Sequence, residues 1–108
     1  MIVRQWRAWA SYGAADQYEQ HFRDHVLPHL KSIDGFVRAE LLRRDNYGVI
    51  EFIALTTFES LDAIKAFAGE RYSRAVVTPE AKELLSRYDE RCVHYDLSVD
   101  SAIESGGG

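Results

Sequence analysis

The side chains able to do chemistry sit mainly near the two ends of the chain. His94 and Asp96 stand two positions apart in the stretch Cys92 to Val99, which alternates like a β-strand and so sets both on one face. A desolvated imidazole oriented by a carboxylate can take a proton from a phenol or another acidic carbon or oxygen acid, so His94 is the candidate base and Asp96 its orienter. A structural histidine hydrogen-bonded at a sheet edge gives the same pattern. Near the N-terminus, Arg4 shares a strand face with Trp6. A guanidinium beside an indole can hold an anionic aromatic ligand by charge and stacking. The competing reading pairs Arg4 with Glu51 or Glu40 across a sheet and places Trp6 in the core. Tyr72, shortly after Gly69, can line the mouth of a cleft and donate a hydrogen bond, or simply pack onto the fold.

Three further histidines, His21, His25 and His29, fall at i, i+4 and i+8, a spacing that suits a transition metal on one side of a continuous helix. Pro28 disturbs that geometry just before the third member, so a solvated helix-edge set is the reading and no metal is assigned. His25 borders an apolar stripe and stands with Arg4, Trp6 and Tyr72 as a candidate ligand contact. Ser-His-Asp arrangements, phosphate loops and dinucleotide fingerprints are missing from the sequence, and no cofactor is expected. The lone Cys92 excludes an internal disulfide and a cysteine-based zinc site, and suggests a reducing compartment.

A scaffold that brings the two ends together is legible in the apolar pattern. Ile2 to Trp9, rich in β-branched and aromatic types, reads as a strand. Ser11-Tyr12-Gly13 breaks it, and from Ala14 onward Tyr18, Phe22, Val26, Leu30 and Ile33 recur at helical spacing, with a kink or restart expected at Pro28. Asp34-Gly35 ends this helix. Phe36 to Arg44 and Val49 to Thr57 form a hairpin about Asp45-Asn46-Tyr47-Gly48, the third strand being apolar on both faces. Ser60 caps a helix over Leu61 to Ala68, Gly69 stops it, and Glu70 to Val77 reads as a further helical turn or two. Pro79 opens a last helix whose inner face is Ala81, Leu84, Leu85 and Tyr88. Cys92 to Val99 is the final strand.

This order predicts an α+β domain over residues 1–100, a ferredoxin-like four-stranded antiparallel sheet with helices on one face, followed by a flexible tail over 101–108. Helices cover only one face, and the central strands make the other too apolar to stay wet, so a homodimer is expected. With 13 Lys and Arg against 17 Asp and Glu, a net charge of -4 and no basic stripe, a nucleic-acid partner is not expected. No run approaches the roughly 20 apolar residues of a membrane span, and Arg4 and Arg7 interrupt any signal-peptide core, so the expected location is cytoplasmic.

The run Phe58 to Gly69, continuing to Ala75-Val76-Val77 and Pro79-Glu80-Ala81, resembles the antibiotic-biosynthesis-monooxygenase-like branch of the dimeric α/β-barrel superfamily. Asp34-Gly35-Phe36 and His94-Tyr95-Asp96-Leu97 fit the same pattern. The resemblance implies a dimer whose sheets close into an α/β barrel, with a ligand cleft in each subunit between sheet and helices. Some such relatives oxidise phenolic polyketides with dioxygen and no cofactor, while others cleave haem or act as plain binding domains. Oxygenating and haem-cleaving relatives usually carry Trp at the end of the third strand and His near the end of the next helix, where this chain has Phe58 and, about there, Phe67-Ala68. The expected function is therefore a cofactor-free small-molecule enzyme acting on a hydroxylated aromatic or quinone-like compound. Its alternative is a non-catalytic ligand-binding or stress-response domain of the same fold.

Overall fold

The computed structural model describes residues 1–102 in the order β1 (Ile2–Ser11), α1 (Tyr12–His21), a π-helical turn (Phe22–Val26), α2 (Leu27–Lys31), β2 (Phe36–Asn46), β3 (Val49–Phe58), α3 (Leu61–Ala68), α4 (Pro79–Leu84), β4 (Arg87–Tyr88) and β5 (Val93–Asp96). Most of the expected tail, residues 103–108, lies outside the described residues. β1 is the central strand. It pairs antiparallel with β3 along its whole length, from Ile2 opposite Phe58 to Ser11 opposite Val49, and β2 flanks β3. On its other side β1 meets β4 and then β5, both antiparallel. The result is the expected ferredoxin-like α+β sheet with helices on one face. Among the described residues no helix is long and apolar enough to cross a membrane.

Strand alternation decides what the helices cover. Ala8 and Ala10 of β1, and Ile50, Phe52, Ala54 and Phe58 of β3, face the helical layer and are buried. They pack on Ala15 and Tyr18 of α1, Phe22 and Leu30 beyond it, and Ala63 and Ile64 of α3. Complete burial of side chains as large as Phe52, Phe58 and Ile64 contributes about 1.5–3 kcal/mol each. The hairpin closes on two residues, Tyr47 (φ 54) and Gly48 (φ 96), both left-handed as a two-residue type I′ turn requires. At the start of β2, Gly35 (φ 92) lets α3 approach so closely that a Cβ there would stand 2.8 Å from Ala63 Cβ.

The kink expected at Pro28 takes a specific form. A π-helical turn precedes it, with the Leu27 amide donating to the Phe22 carbonyl five residues back. Proline has no amide to offer and crowds the carbonyl four residues behind it, and the widened turn absorbs both defects. The turn also corrects the apolar stripe. A four-residue step overshoots an α-helical turn by about 40°, so Tyr18, Phe22, Val26 and Leu30 would spiral away from the sheet on an uninterrupted α-helix. The wider turn between Phe22 and Val26 takes that drift back, and all four face the same cavity.

Two expected elements differ. Glu70 to Val77 is not helical but an irregular connector whose backbone pairs with residues 90–92: Ala75 N donates to Glu90 O (2.9 Å), Cys92 N donates to Ser73 O (2.7 Å), and Arg74 forms a bridge with Arg91. The last helix stops at Leu84, and Tyr88 lies on β4, opposite Ala8, with its ring 6.2 Å from that of Trp6. Leu84, Leu85 and Tyr88 have helical spacing, yet pairing with the exposed edge of β1 overrides it. The final strand is accordingly split, and its chain bows out between β4 and β5 where the Trp6 indole donates to the Asp89 carbonyl at 2.6 Å.

The face away from the helices carries Val3, Ile53 and Leu55, half-buried, beside Leu42, Val93 and Tyr95, which are 48%, 49% and 52% exposed.

Candidate functional site

Between sheet and helices lies a cavity of about 50 Å³, walled by Trp6, Ala54, Tyr18, Phe22, Val26, Leu30, Phe67, Val76, Val77 and Ala81. The polar groups at its wall come from Arg4, Thr56, Thr78 and Cys92. Pockets for drug-sized ligands occupy about 300–1,000 Å³, so a ligand larger than a few waters must displace part of the wall. Val76 to Thr78, on this wall, lie in neither helix nor strand.

Arg4 is the unusual member. It is only 3% exposed, and no ion pair among the described residues includes it. Its guanidinium donates to the carbonyls of Tyr72 and Arg74 (2.8 Å for the latter) and contacts His94 Nε2 at 3.0 Å. The Phe67 ring lies 5.8 Å away. Burial draws its pKa down, partly offset by neighbouring Cys92, but a guanidinium stays charged. Glu51 and Glu40, the alternative partners, sit on the opposite sheet face by strand parity and engage Arg44 and Arg38 instead.

His94 stands directly across from Arg4 in the β1–β5 register. A guanidinium can only donate, so Nε2 is the unprotonated acceptor and the imidazole is neutral with its proton on Nδ1. Burial, then the positive charge of Arg4, lowers the His94 pKa. Asp96, the expected orienter, is not hydrogen-bonded to His94 among the described residues. It shares the face of His94, but residues two apart on a strand are separated by about 6.6 Å, Asp96 is exposed at the end of β5, and the hydrogen-bond partner of His94 among the described residues is Arg4.

The other candidates divide. Trp6 lines the cavity, flanked by the rings of Tyr18 and Tyr88. Tyr72 does not line it. Its ring meets His94 edge-on at 5.3 Å and its carbonyl accepts from Arg4, so it supports the cation from behind. His25 is exposed and is not a wall residue; His21, one turn earlier, is the buried histidine, with Nε2 2.9 Å from Thr78 Oγ1. Thr78 also caps α4 by accepting from Ala81 N, which ties the connector to α1. His29 lies against Phe67 at 5.6 Å, so the three-histidine series does not converge. Phe67, Thr56 and Cys92 were missed as wall residues, although Phe67 follows Ile64 at i+3 and Thr56 shares the helix-facing parity of Ala54. The Cys92 thiol is buried and its pKa raised by that burial, which keeps it protonated and unreactive.

The same architecture recurs in known structures. A candidate antibiotic biosynthesis monooxygenase of Bacillus cereus superposes with a TM-score of 0.66 at 15% identity, covering 93% of this chain and 94% of that one. SnoaB, a cofactor-independent oxygenase from Streptomyces nogalater, gives 0.62 at 20% identity, covering 92% and 95%. MhuD, a haem degrader from Mycobacterium tuberculosis, gives 0.62 at 20% identity, covering 93% and 98%. At such identities the likeness establishes the fold alone. No curated protein matches in sequence. The family model for antibiotic biosynthesis monooxygenases matches residues 1–79, which takes in β1 with Arg4 and Trp6, the π-helical turn, the hairpin, α3 and the connector, and on that match the chain belongs to the antibiotic biosynthesis monooxygenase family.

Proposed function

We propose that this chain is a cofactor-independent oxygenase that binds a hydroxylated aromatic or quinone-like compound in the cleft between sheet and helices, with Arg4 as the anion-holding group. The observation that carries the reading is a buried cation, lacking a carboxylate partner among the described residues, at the wall of a mostly apolar cavity. A buried charge is costly unless compensated, and two carbonyls and a neutral imidazole compensate it only with dipoles. A phenolate or enolate would supply the full opposite charge, and Arg4 would lower the pKa of that ligand. Trp6 and Phe67 offer the flat apolar surfaces such a ring needs.

The chemistry follows from the anion. As the ligand oxygen takes over Nη1 of Arg4, His94 Nε2 is freed and accepts the proton that the ligand gives up. A ring CH2 that has lost a proton reduces dioxygen, and the resulting hydroperoxide loses water to leave a carbonyl. The carbon supplies four electrons, one oxygen atom is retained, and the other leaves as water. Two chains paired through their open sheet faces complete the proposed assembly.

Haem does not fit these residues. α3 carries no histidine that could ligate iron, and Phe67 of its last turn stands at the cavity wall instead. A second reading, a ligand-binding domain without catalysis, draws support from the cavity of about 50 Å³ and from Phe58 at the end of β3. Oxygen uptake with an anthrone-type hydroxyaromatic separates the two. Uptake by wild type that Arg4→Gln abolishes supports the oxygenase; a thermal shift without uptake supports the binder, and neither response removes the ligand site altogether.

A further inference from the structure

Arg74 and Arg91 face each other across the isolated antiparallel bridge that joins the connector to the edge-strand excursion. Like charges set directly opposite one another are unfavourable, and neither arginine belongs to an ion pair among the described residues. The fold does not ask for this pair, because the bridge is held by flanking backbone hydrogen bonds that any residue could supply. Lys82 of α4 brings a third cation to the same place, around a polar hollow of about 300 Å³ that Tyr88 and Glu90 also line. Three cations against the single carboxylate of Glu90 leave an excess of two positive charges. The hollow stands outside the apolar cavity, on the other side of Val77, which lines both.

We infer that this hollow is a binding site for a small dianion, a phosphate monoester or a dicarboxylate, gripped by the two guanidinium forks and Lys82. Planar forks match the oxygens of phosphate and carboxylate in paired hydrogen bonds, and a dianion cancels the surplus charge. The volume lies at the lower limit for ligand pockets, as a molecule of that size requires. The site does not depend on the oxygenase reading.

Calorimetric titration of the wild-type protein at low ionic strength, with phenyl phosphate in one arm and succinate in the other, tests it and identifies the preferred dianion. Saturable binding of at least one, weakened about tenfold or more in Arg74→Gln/Arg91→Gln as expected for lost charge-assisted bonds and unchanged in the charge-matched Arg23→Gln/Lys31→Gln, supports the site. Both substituted arginines are exposed, so the variant should fold. Without ligand, Arg91→Gln should melt higher than wild type at low salt, because the repulsion is gone. No saturable binding of either dianion, equal binding by the double variant, or an equal loss in the charge-matched control overturns the inference.

Discussion

Arg4 Nη1 lies 3.0 Å from His94 Nε2, and the two residues stand directly opposite one another on neighbouring strands. If His94 serves the resting protein as an acceptor, the amide oxygen of glutamine can replace it and an aliphatic side chain cannot. His94→Gln is expected to keep near wild-type stability, while His94→Leu loses about 1–2 kcal/mol in urea denaturation. For turnover the order differs, since glutamine cannot take a proton: oxygen uptake should fall in both variants. Full activity in His94→Gln would reassign the residue as purely positioning.

Stability should fall on mild acidification. Burial is the first cause of the lowered pKa of both His21 and His94, with His25 opposing and Glu80 favouring charge at His21, and Arg4 opposing it at His94. A histidine whose folded pKa is depressed binds its proton sooner in the unfolded chain. The contribution is intact above the ordinary imidazole value of about 6.5 and is lost as pH falls below it. The melting temperature is expected to drop between about pH 7.5 and pH 5.5, above the range where carboxylates titrate. In His21→Gln/His94→Gln the slope over this window should flatten; an unchanged slope would show that other groups carry it.

Arg4→Gln removes the buried charge along with donors to the carbonyls of Tyr72 and Arg74. Unpaired buried carbonyls cost about 1–3 kcal/mol each, partly offset because a guanidinium no longer has to be desolvated. A net loss of about 2 kcal/mol in urea is expected. Arg4→Lys should not restore ligand affinity, since an ammonium lacks the planar fork. Tight hydroxyaromatic binding by either variant would remove Arg4 from the site.

The sequence carried the sheet and its parity further than it carried the edge. β1, the hairpin, α3 and the facing of Arg4 with Trp6 follow from alternation and turn residues within each segment. The connector 70–77 and the end of α4 did not follow, because their conformations are set by pairing with residues 85–92 and with β1, contacts between segments that no local period encodes. The same reason separates His94 from Asp96. Parity put both on one face, but the partner that His94 finds lies on the strand opposite, ninety positions away in sequence. His21 rather than His25 is buried because the π-helical turn shifts the helical phase after Phe22.

Gly35→Ala should be strongly destabilising for two separate reasons. Its φ of 92° is unfavourable for any residue with a Cβ, and that Cβ would meet Ala63 Cβ at 2.8 Å. Backbone strain of this kind costs about 1–3 kcal/mol, and the clash adds to it. Since Glu59 N also donates to Gly35 O at 2.8 Å, the backbone cannot shift freely to relieve the contact. Gly35→Ala/Ala63→Gly should recover only the steric part in thermal melts. Full recovery would mean that the positive φ imposes no cost.

The open sheet face should hold two chains together. By strand register Val3 lies opposite Tyr95 on one side and Thr57 on the other, Leu55 is two residues before Thr57 on the same face, and Leu42 lies opposite Ile53, so these apolar side chains share the open face of β2, β3, β1 and β5. Water over such a face is unfavourable, and a second copy turned about a two-fold axis offers the same surface in return. Sedimentation at micromolar concentration is expected to give twice the chain mass of 12.4 kDa. Leu55→Asp, on this face, should give the single-chain mass with the circular dichroism of the folded sheet retained, because its side chain points away from the helical core. A wild-type protein that sediments as one chain would leave the face uncovered and remove the dimer from the proposed function.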